Sequence, residues 1–263
     1  MRSDSLAAGS VLPLAPGEVE IISGDPATGM LLLCDHASNA MPPELNSLGL
    51  PPEQLERHIA YDIGAAELTR AMAHATGAPA LLTNFSRLLI DPNRGLDDPT
   101  LVMRLSDGAI VPGNARIDEA GIAARVAKYY APYDAAIDDA IETAIATGHL
   151  PAIVSIHSFT PFWKAVARPW HVGVLWDHEG ALAQALIAAL QAEGDLVVGD
   201  NEPYNGGLPG DTIDRHATRR GLPDALIEVR QDLIASPETA RAWGLRLARI
   251  VPPVVAALRD GAS

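Results

Sequence analysis

Two histidines in this chain, His36 in LLLCDHASN (31–39) and His157 in IVSIHSF (153–159), each follow an apolar run and have a serine nearby. Neutral imidazole is a common ligand for zinc, and a catalytic zinc usually takes three protein ligands and leaves a position for water. A third ligand is needed, and carboxylates are the candidates. Asp62, in HIAYDIGA (58–65), stands at the predicted start of a helix, where it either ligates or caps the helix N-terminus. Asp35 either ligates or orients His36 from behind as a hydrogen-bond acceptor. Asn39 lies where a glutamate would complete a His-x-x-Glu pair, but asparagine is a weak neutral ligand. His58, four residues before Asp62, fits the surface or the surroundings of the ligands better than the ligand set.

Glu228 is embedded in an apolar run, LIEV (226–229). Burial would raise the pKa of its carboxyl, and a nearby metal would oppose that shift. Such a glutamate can take a proton from water and pass it to a leaving amine. The plainer alternative is a strand-end carboxylate paired with Arg230, itself a candidate for substrate contact. Arg87, Asn93 and Arg94 fall within NFSRLLIDPNR (84–94). Arginine forks bind carboxylates bidentately, and an amide adds a donor. This cluster is either a dock for an acidic substrate or an internal salt-bridge network, with Asp91 pairing one arginine. Tyr204 and Asn205, in the glycine-rich NEPYNGG (201–207), are placed to close over a ligand. His216, near Arg219 in the next predicted helix, is a candidate to aid catalysis, the alternative being a structural or solvated histidine.

These residues need elements to hold them. Short apolar runs predict strands over 30–34, 80–84, 152–156, 171–176, 196–198 and 225–229, with a further short one at 19–22. Helical spacing covers 62–75, ending at Gly77, then 118–147 as one long helix or two bent near Pro132. Further helices are predicted over 180–193, 211–220 and 236–258, the last capped by Ser236. Residues 92–116, rich in Pro, Gly and Asp, read as a long irregular segment, and such segments are more often functional than ornamental. Strands alternating with helices predict one α/β domain over 1–263, with an open, mostly parallel (mixed) sheet covered on both faces and 1–28 as a loose lead-in. In such sheets ligands bind outside the carboxyl ends of the strands. The unusual polar residues fall at the ends of four of them.

The net charge of −14 repels phosphate backbones, so nucleic acid is not the expected partner. A small anionic substrate would need local cations, which the arginine cluster supplies. The single cysteine, Cys34, allows no disulfide within the chain and fits a reducing compartment. No stretch approaches the roughly 18 apolar residues of a membrane span. Nor does the N-terminus show a basic segment followed by a clean apolar one. The expectation is a cytoplasmic protein acting on a small molecule, its oligomeric state open.

Taken in order over roughly residues 30–235, the segments CDHASNAMP, HIAYDIGA, FSRLLIDPNR, SIHSF, NEPYNG and ALIEVRQDLI resemble the N-formylglutamate amidohydrolase family. Each motif alone is modest, and the ordered set is specific. The resemblance implies a zinc-dependent amide hydrolase with a carboxypeptidase-like, open-sheet α/β fold. The implied reaction is hydrolysis of an N-acyl acidic amino acid, N-formyl-L-glutamate giving formate and L-glutamate in histidine breakdown. It implies His36 and His157 as zinc ligands and Glu228 as general base. Arg87, Asn93 and Arg94 are similar to the carboxylate-binding residues of zinc acylases such as aspartoacylase, with Arg87 or Arg94 meeting substrate carboxylate or the developing oxyanion. In related zinc amidases of cell-wall breakdown a first-helix acid is the third ligand, which supports Asp62. In carboxypeptidases and acylases it is the His-x-x-Glu glutamate, where this chain has Asn39, so Asp62, Asp35 and Asn39 all stay open. Two rivals remain: a zinc peptidase or cell-wall-type amidase of the same fold, and a metal-free protein that binds acyl-glutamate through its arginines.

Overall fold

Runs of apolar residues without polar alternation suit strands buried on both faces, and these runs assemble into one seven-stranded sheet. The structure is a computed structural model describing residues 14–178 and 180–261. Its strands are β1 (Glu20–Ile22), β2 (Met30–Cys34), β3 (Ala80–Leu82), β6 (Ala152–Phe159), β9 (Val172–Leu175), β10 (Val198–Asp200) and β11 (Asp224–Arg230). Two small hairpins, β4–β5 (Leu105–Ser106 and Ala109–Ile110) and β7–β8 (Phe162–Trp163 and Val166–Ala167), stand apart from it. The helices are α1 (Pro52–Leu55), α2 (Ala65–Thr76), α3 (Glu119–Arg125), α4 (Ala131–Ala146), α5 (Ala181–Gln191), α6 (Thr212–His216) and α7 (Pro237–Gly261).

The strand order is β1-β3-β2-β6-β11-β9-β10. Strands β3, β2, β6 and β11 are parallel, and β1 joins one edge antiparallel. Strands β9 and β10 are parallel to each other, but β9 runs antiparallel to β11. The sheet is therefore mixed, mostly parallel, as the alternation of elements predicts. The reversal of β9 and β10 has no counterpart in the sequence pattern, because an apolar run carries no direction.

Alternation along the strands divides the two faces. Leu32, Cys34, Val154, Ile156, Ala225 and Ile227 pack against α2, α5 and α7. Leu31, Leu33, Ile153 and Leu226 pack against Tyr133, Ile137 and Ile141 of α4 and Ile213 of α6. His157 is in step with Ile153, and Glu228 with Leu226, so both face the α4–α6 side. A third, smaller core of Phe85, Leu88, Leu89, Ile90, Leu101, Val102 and Tyr130 lies beneath the irregular chain after β3. Arg125, buried under it, donates to Leu89 O and Asn114 Oδ1, both at 2.7 Å. That core turns a segment with almost no regular structure into a rigid support for Arg87, Asp91 and Asn93.

Several boundaries differ from those the sequence predicts. The strand predicted to end at 156 continues to Phe159, so His157 lies within it rather than after it. The helix predicted from 62 begins at Ala65, three residues past Asp62. The helical stretch 118–147 is two helices joined by a π-turn over Val126–Tyr130, with Pro132 in the first turn of the second. The helix predicted over 211–220 breaks after His216 into a 3-10 turn. The strand predicted at 196–198 is shifted to Val198–Asp200.

Candidate active site

Asp62 is not a helix cap. Its N–H donates to His36 O at 2.9 Å, and Gly64, at φ 81°, makes the turn into α2. A Cβ at Gly64 would fall 2.2 Å from Ile234 O, so only glycine makes that turn at this distance from the chain. The turn leaves the Asp62 carboxylate free to point inward. Its Oδ2 lies 2.9 Å from His157 Nδ1 and 3.4 Å from His36 Nδ1, and it accepts from Ser158 N at 3.2 Å. The exit of β2, the turn into α2 and strand β6 thus deliver His36, Asp62 and His157 to one buried point, with one ligand atom of each within 4.8 Å of the others. The two imidazole rings meet edge to face, centroids 4.9 Å apart.

Each histidine is backed by a second carboxylate. His36 Nε2 lies 2.7 Å from Asp91 Oδ1, and His157 Nε2 lies 3.1 Å from Asp35 Oδ2. With Nε2 of each ring held by a backing carboxylate, Nδ1 is the atom turned to the centre, toward Asp62 Oδ2. This is the carboxylate–histidine arrangement that orients imidazole ligands in metal sites. Asp35 therefore stands behind His157, not behind His36 as the sequence suggests. The partner of His36 is Asp91, 55 residues away in the chain. Asp35 is itself held by Ser155 Oγ at 3.1 Å and Thr212 Oγ1 at 3.0 Å. Asn39 turns away, its Nδ2 donating to Leu55 O at 2.9 Å and Glu56 Oε1 at 3.3 Å.

The charges agree with this geometry. Burial opposes ionisation of Asp62, but the two histidines outweigh it and hold its carboxyl far below the usual range. Asp91 is likewise buried and is held low by Arg87 and His36. Burial opposes a charge on His157, yet its hydrogen bonds to Asp35 and Asp62 raise its pKa well above the usual value. Three ionised carboxylates around two imidazoles form a strongly cation-seeking pocket. A set of two imidazole nitrogens and one carboxylate oxygen fits a borderline-soft divalent transition ion.

Glu228 completes the picture. In the parallel β6–β11 ladder it is the direct partner of His157. It is 6% exposed, and its Oε2 is buried without a hydrogen-bond partner. Burial pushes its pKa up to about 7, with Asp62 adding to the shift and His157 opposing it. Opposite Glu228 on the other side of β11 is Gly173.

These residues border a cleft of about 330 Å³. Arg87, Asn93, Arg94, Tyr204 and Asn205 also line it. Arg87 donates to Asp91 through Nε and Nη2, at 3.1 and 2.6 Å, and its Nη1 faces Asp62 Oδ1 at 3.5 Å. It is thus both a strut between two carboxylates and part of the wall. Asn93 Oδ1 accepts from Thr212 N at 3.0 Å, tying the wall to α6. Arg94 Nη1 donates to Asn93 O at 2.6 Å, and Nε to Thr100 Oγ1 at 3.2 Å. His58 reaches the cleft too, with Nε2 3.5 Å from Asp107 Oδ2.

Two residues expected at the site lie elsewhere. His216 is buried against α4, its ring nitrogens each 2.8 Å from a carboxylate oxygen of Asp138 and Asp134. It is not among the residues lining the cleft. Arg230 leaves the rim the other way, pairing with Asp232 and donating to the carbonyls of Arg168, Pro169 and Trp170. It clamps a loop instead of facing a ligand. Asp211, absent from the sequence reading, does line the cleft, and burial pushes its pKa up to about 6. Arg168 was equally silent in the sequence. It packs against the rings of Phe159, Trp163 and Tyr204 and donates to the Tyr204 hydroxyl.

Comparison with known proteins fits this geometry. A family model described as N-formylglutamate amidohydrolase matches residues 28–235. Among solved structures, a gene product of Agrobacterium tumefaciens is 32% identical, with a TM-score of 0.85, over 92% of this chain and 96% of its own. An N-formylglutamate amidohydrolase from Ralstonia eutropha JMP134 is 22% identical, with a TM-score of 0.75, over 94% of this chain and 100% of its own. Among curated proteins, none matches.

Proposed function

The chain belongs to the N-formylglutamate amidohydrolase family, and from that premise we propose that it is a zinc-dependent hydrolase of N-acyl acidic amino acids, with N-formyl-L-glutamate as substrate and formate and L-glutamate as products. The class of reaction, hydrolysis of a linear amide, follows from the family. Zinc, the substrate and the residue roles are our reading.

His36, Asp62 and His157 would hold the ion, with Asp91 and Asp35 fixing the two rings. Zinc bound there supplies Lewis-acid chemistry that polarises an amide carbonyl and acidifies water. Glu228 is the general base. Its buried, unpartnered Oε2 takes a proton from the attacking water and returns it to the departing amine nitrogen. A carboxyl pushed up to about 7 is matched to both halves of that transfer at neutral pH. Arg94, Asn93 and the free edge of Arg87 receive the substrate carboxylate, and Tyr204 and Asn205 also line the cleft.

The observation that carries this reading is the pairing of a three-ligand group with an orphaned buried glutamate one strand away. It also weighs against a metal-free binding protein, for which four buried carboxylates around two histidines would be a burden without use. No helix among the described residues is long and apolar enough to cross a membrane. With Cys34 a buried free thiol, the reading places the enzyme in the cytoplasm, in histidine breakdown.

The test is zinc stoichiometry together with formate release from N-formyl-L-glutamate, for wild type and His157→Ala. The expected result is one zinc per chain and turnover, both lost in the variant. Zinc without formate release would refute the formyl substrate, and no metal after reconstitution would refute the hydrolase.

A further inference from the structure

Arg168 follows the β7–β8 hairpin and is only 8% exposed. In a chain of net charge −14 a carboxylate partner would be easy to supply. Among the described residues, none stands within ion-pair distance of it. Its guanidinium carbon instead lies 4.9 Å from the Tyr204 ring, 5.5 Å from Trp163 and 5.8 Å from Phe159. Rings can stabilise a cation from which water has been removed. They do so without neutralising it, which a carboxylate would do. The charge is therefore kept available, and the question is for what.

The hydrogen bonds answer it. Among the described residues the Arg168 side chain donates through Nη1 alone: to Thr160 O at 3.3 Å, Thr160 Oγ1 at 3.1 Å and Tyr204 Oη at 3.1 Å. Guanidinium has no acceptor, so Tyr204 Oη accepts and its own proton must point elsewhere. A phenol that accepts from a cation becomes a stronger donor. Tyr204 and Thr160 line the cleft that holds His157 and Glu228. The loop carrying Tyr204 is pinned at its base, where Asn201 Oδ1 accepts from Trp176 N at 2.9 Å and Gly206 N at 3.1 Å. Meanwhile two of the three Arg87 nitrogens are taken by Asp91. A further fixed donor in the wall would share the negative charge that develops on the carbonyl oxygen.

We propose that Tyr204 donates a hydrogen bond from its hydroxyl to the scissile carbonyl oxygen as the tetrahedral intermediate forms, and that Arg168 is the positioning residue that fixes and polarises it. The assignment rests on the amide-hydrolase reading above. No covalent bond forms at Tyr204: water adds to the carbonyl carbon, the C–N bond breaks, and the phenol keeps its proton. Lysine cannot replace Arg168, because only a planar guanidinium stacks on a ring and donates at its edge together.

The test is a double-mutant cycle on the metal-loaded enzyme: wild type, Arg168→Met, Tyr204→Phe and both. Metal content and thermal unfolding establish that each variant is folded and loaded. Removing one such donor lowers kcat by roughly 100-fold or more. Tyr204→Phe should show that loss with little change in KM. Arg168→Met should lower kcat at least several-fold in wild type and hardly at all in the Tyr204→Phe background, and Arg168→Lys should not restore it. An unchanged kcat in Tyr204→Phe overturns the proposal. So does an Arg168→Met loss that persists undiminished in the Tyr204→Phe background, because Arg168 would then act without the phenol.

A second readout needs no activity. The ultraviolet difference titration of wild type against Tyr204→Phe isolates the Tyr204 phenol, and Arg168→Met should move its ionisation to higher pH. No movement overturns the positioning role. A zinc-loaded wild type that hydrolyses no N-acyl amino acid sinks the function reading, and the donor role falls with it. The titration would still tell whether Arg168 holds the phenol.

Discussion

Glu228 and His157 are cross-strand partners in the parallel β6–β11 ladder, so one backbone register sets the distance between the unpaired carboxyl and the metal-facing imidazole. Neither residue sits on a loop. The proposed base is thereby fixed to a buried part of the sheet, where almost every residue of the two strands is covered.

From this relationship the Glu228→Gln variant should keep its metal and lose its chemistry. Amide and carboxyl have the same shape, so His36, Asp62 and His157 stay in place. Loss of general-base catalysis is worth roughly 100- to 10,000-fold in kcat. Bound zinc by elemental analysis should remain at the wild-type level while formate release falls by that amount. Loss of both together would mean that Glu228 supports the ion instead.

The same substitution should stabilise the metal-free protein, in a pH-dependent way. Burial raises the Glu228 pKa from 4.5 to about 7, so the folded state binds this proton more tightly than the unfolded chain. Its favourable contribution is complete below about pH 4.5 and is lost as pH rises through 7. Glu228→Gln has no such proton to lose. Denaturant unfolding of the chelated proteins should therefore show a gain for the variant that is larger at pH 8 than at pH 5, by on the order of 1–3 kcal/mol. Asp35 and Asp91 are common to both proteins and cancel in the comparison, while Asp62 and His157, which interact with Glu228, contribute to the difference.

Asp91→Asn and Asp35→Asn should each weaken metal binding while leaving the three ligands untouched. An amide can present its NH₂ to Nε2 and so turn or re-protonate the ring. Loss of such backing carboxylates typically costs 10- to 100-fold in metal affinity. Competition against a chromogenic chelator would measure it. Asn39→Ala serves as the control, with unchanged affinity, since its amide points to Leu55 and Glu56.

His216→Asn should damage stability and spare turnover. The ring is 2% exposed and bridges α6 to two aspartates of α4. Losing those contacts is expected to cost roughly 1–3 kcal/mol in a denaturant titration, with kcat/KM per folded molecule unchanged. A fall in kcat/KM at constant stability would restore the catalytic role that the sequence suggests.

Gly173→Ala should disturb the wall of the cleft through the backbone. A Cβ there would come 1.9 Å from Glu202 O, so the turn leading into Tyr204 has to move. Overpacking of this kind costs roughly 1–3 kcal/mol. The thermal midpoint should drop and KM for the substrate should rise. An unperturbed KM would show that the turn yields without shifting Tyr204.

Much of this arrangement was written in local pattern. The strands announce themselves as short apolar runs, and a histidine just after such a run, or a glutamate inside one, is conspicuous. That drew attention to His36, His157 and Glu228. Asp62 was ambiguous because a helix cap and a ligand share one residue type, and the Gly64 turn that separates them is a matter of dihedral angle. What could not be read was pairing across long separations. Asp91 serves His36 from 55 residues away, and Asp35 serves His157 from 122. Arg168 lies in an unremarkable segment before Pro169, and its meaning comes from three rings brought round it by β6, the hairpin and a distant loop. His216 misled for the same reason, since its partners Asp138 and Asp134 are 78 and 82 residues away.

The strand order has a consequence for how the chain is made. The last strand in the sequence, β11, lies in the middle of the sheet, between β6 and β9. A ribosome releasing this chain from its N-terminus exposes β1, β3, β2 and β6 as one half-sheet and later β9 and β10 as another. Each half keeps an unpaired inner edge until β11 emerges. Such edges invite pairing with other chains, and α7, which covers one face, arrives only after β11. The nascent protein is therefore most exposed to misassembly just before residue 224, and Glu228 is delivered by the very strand that seals the gap.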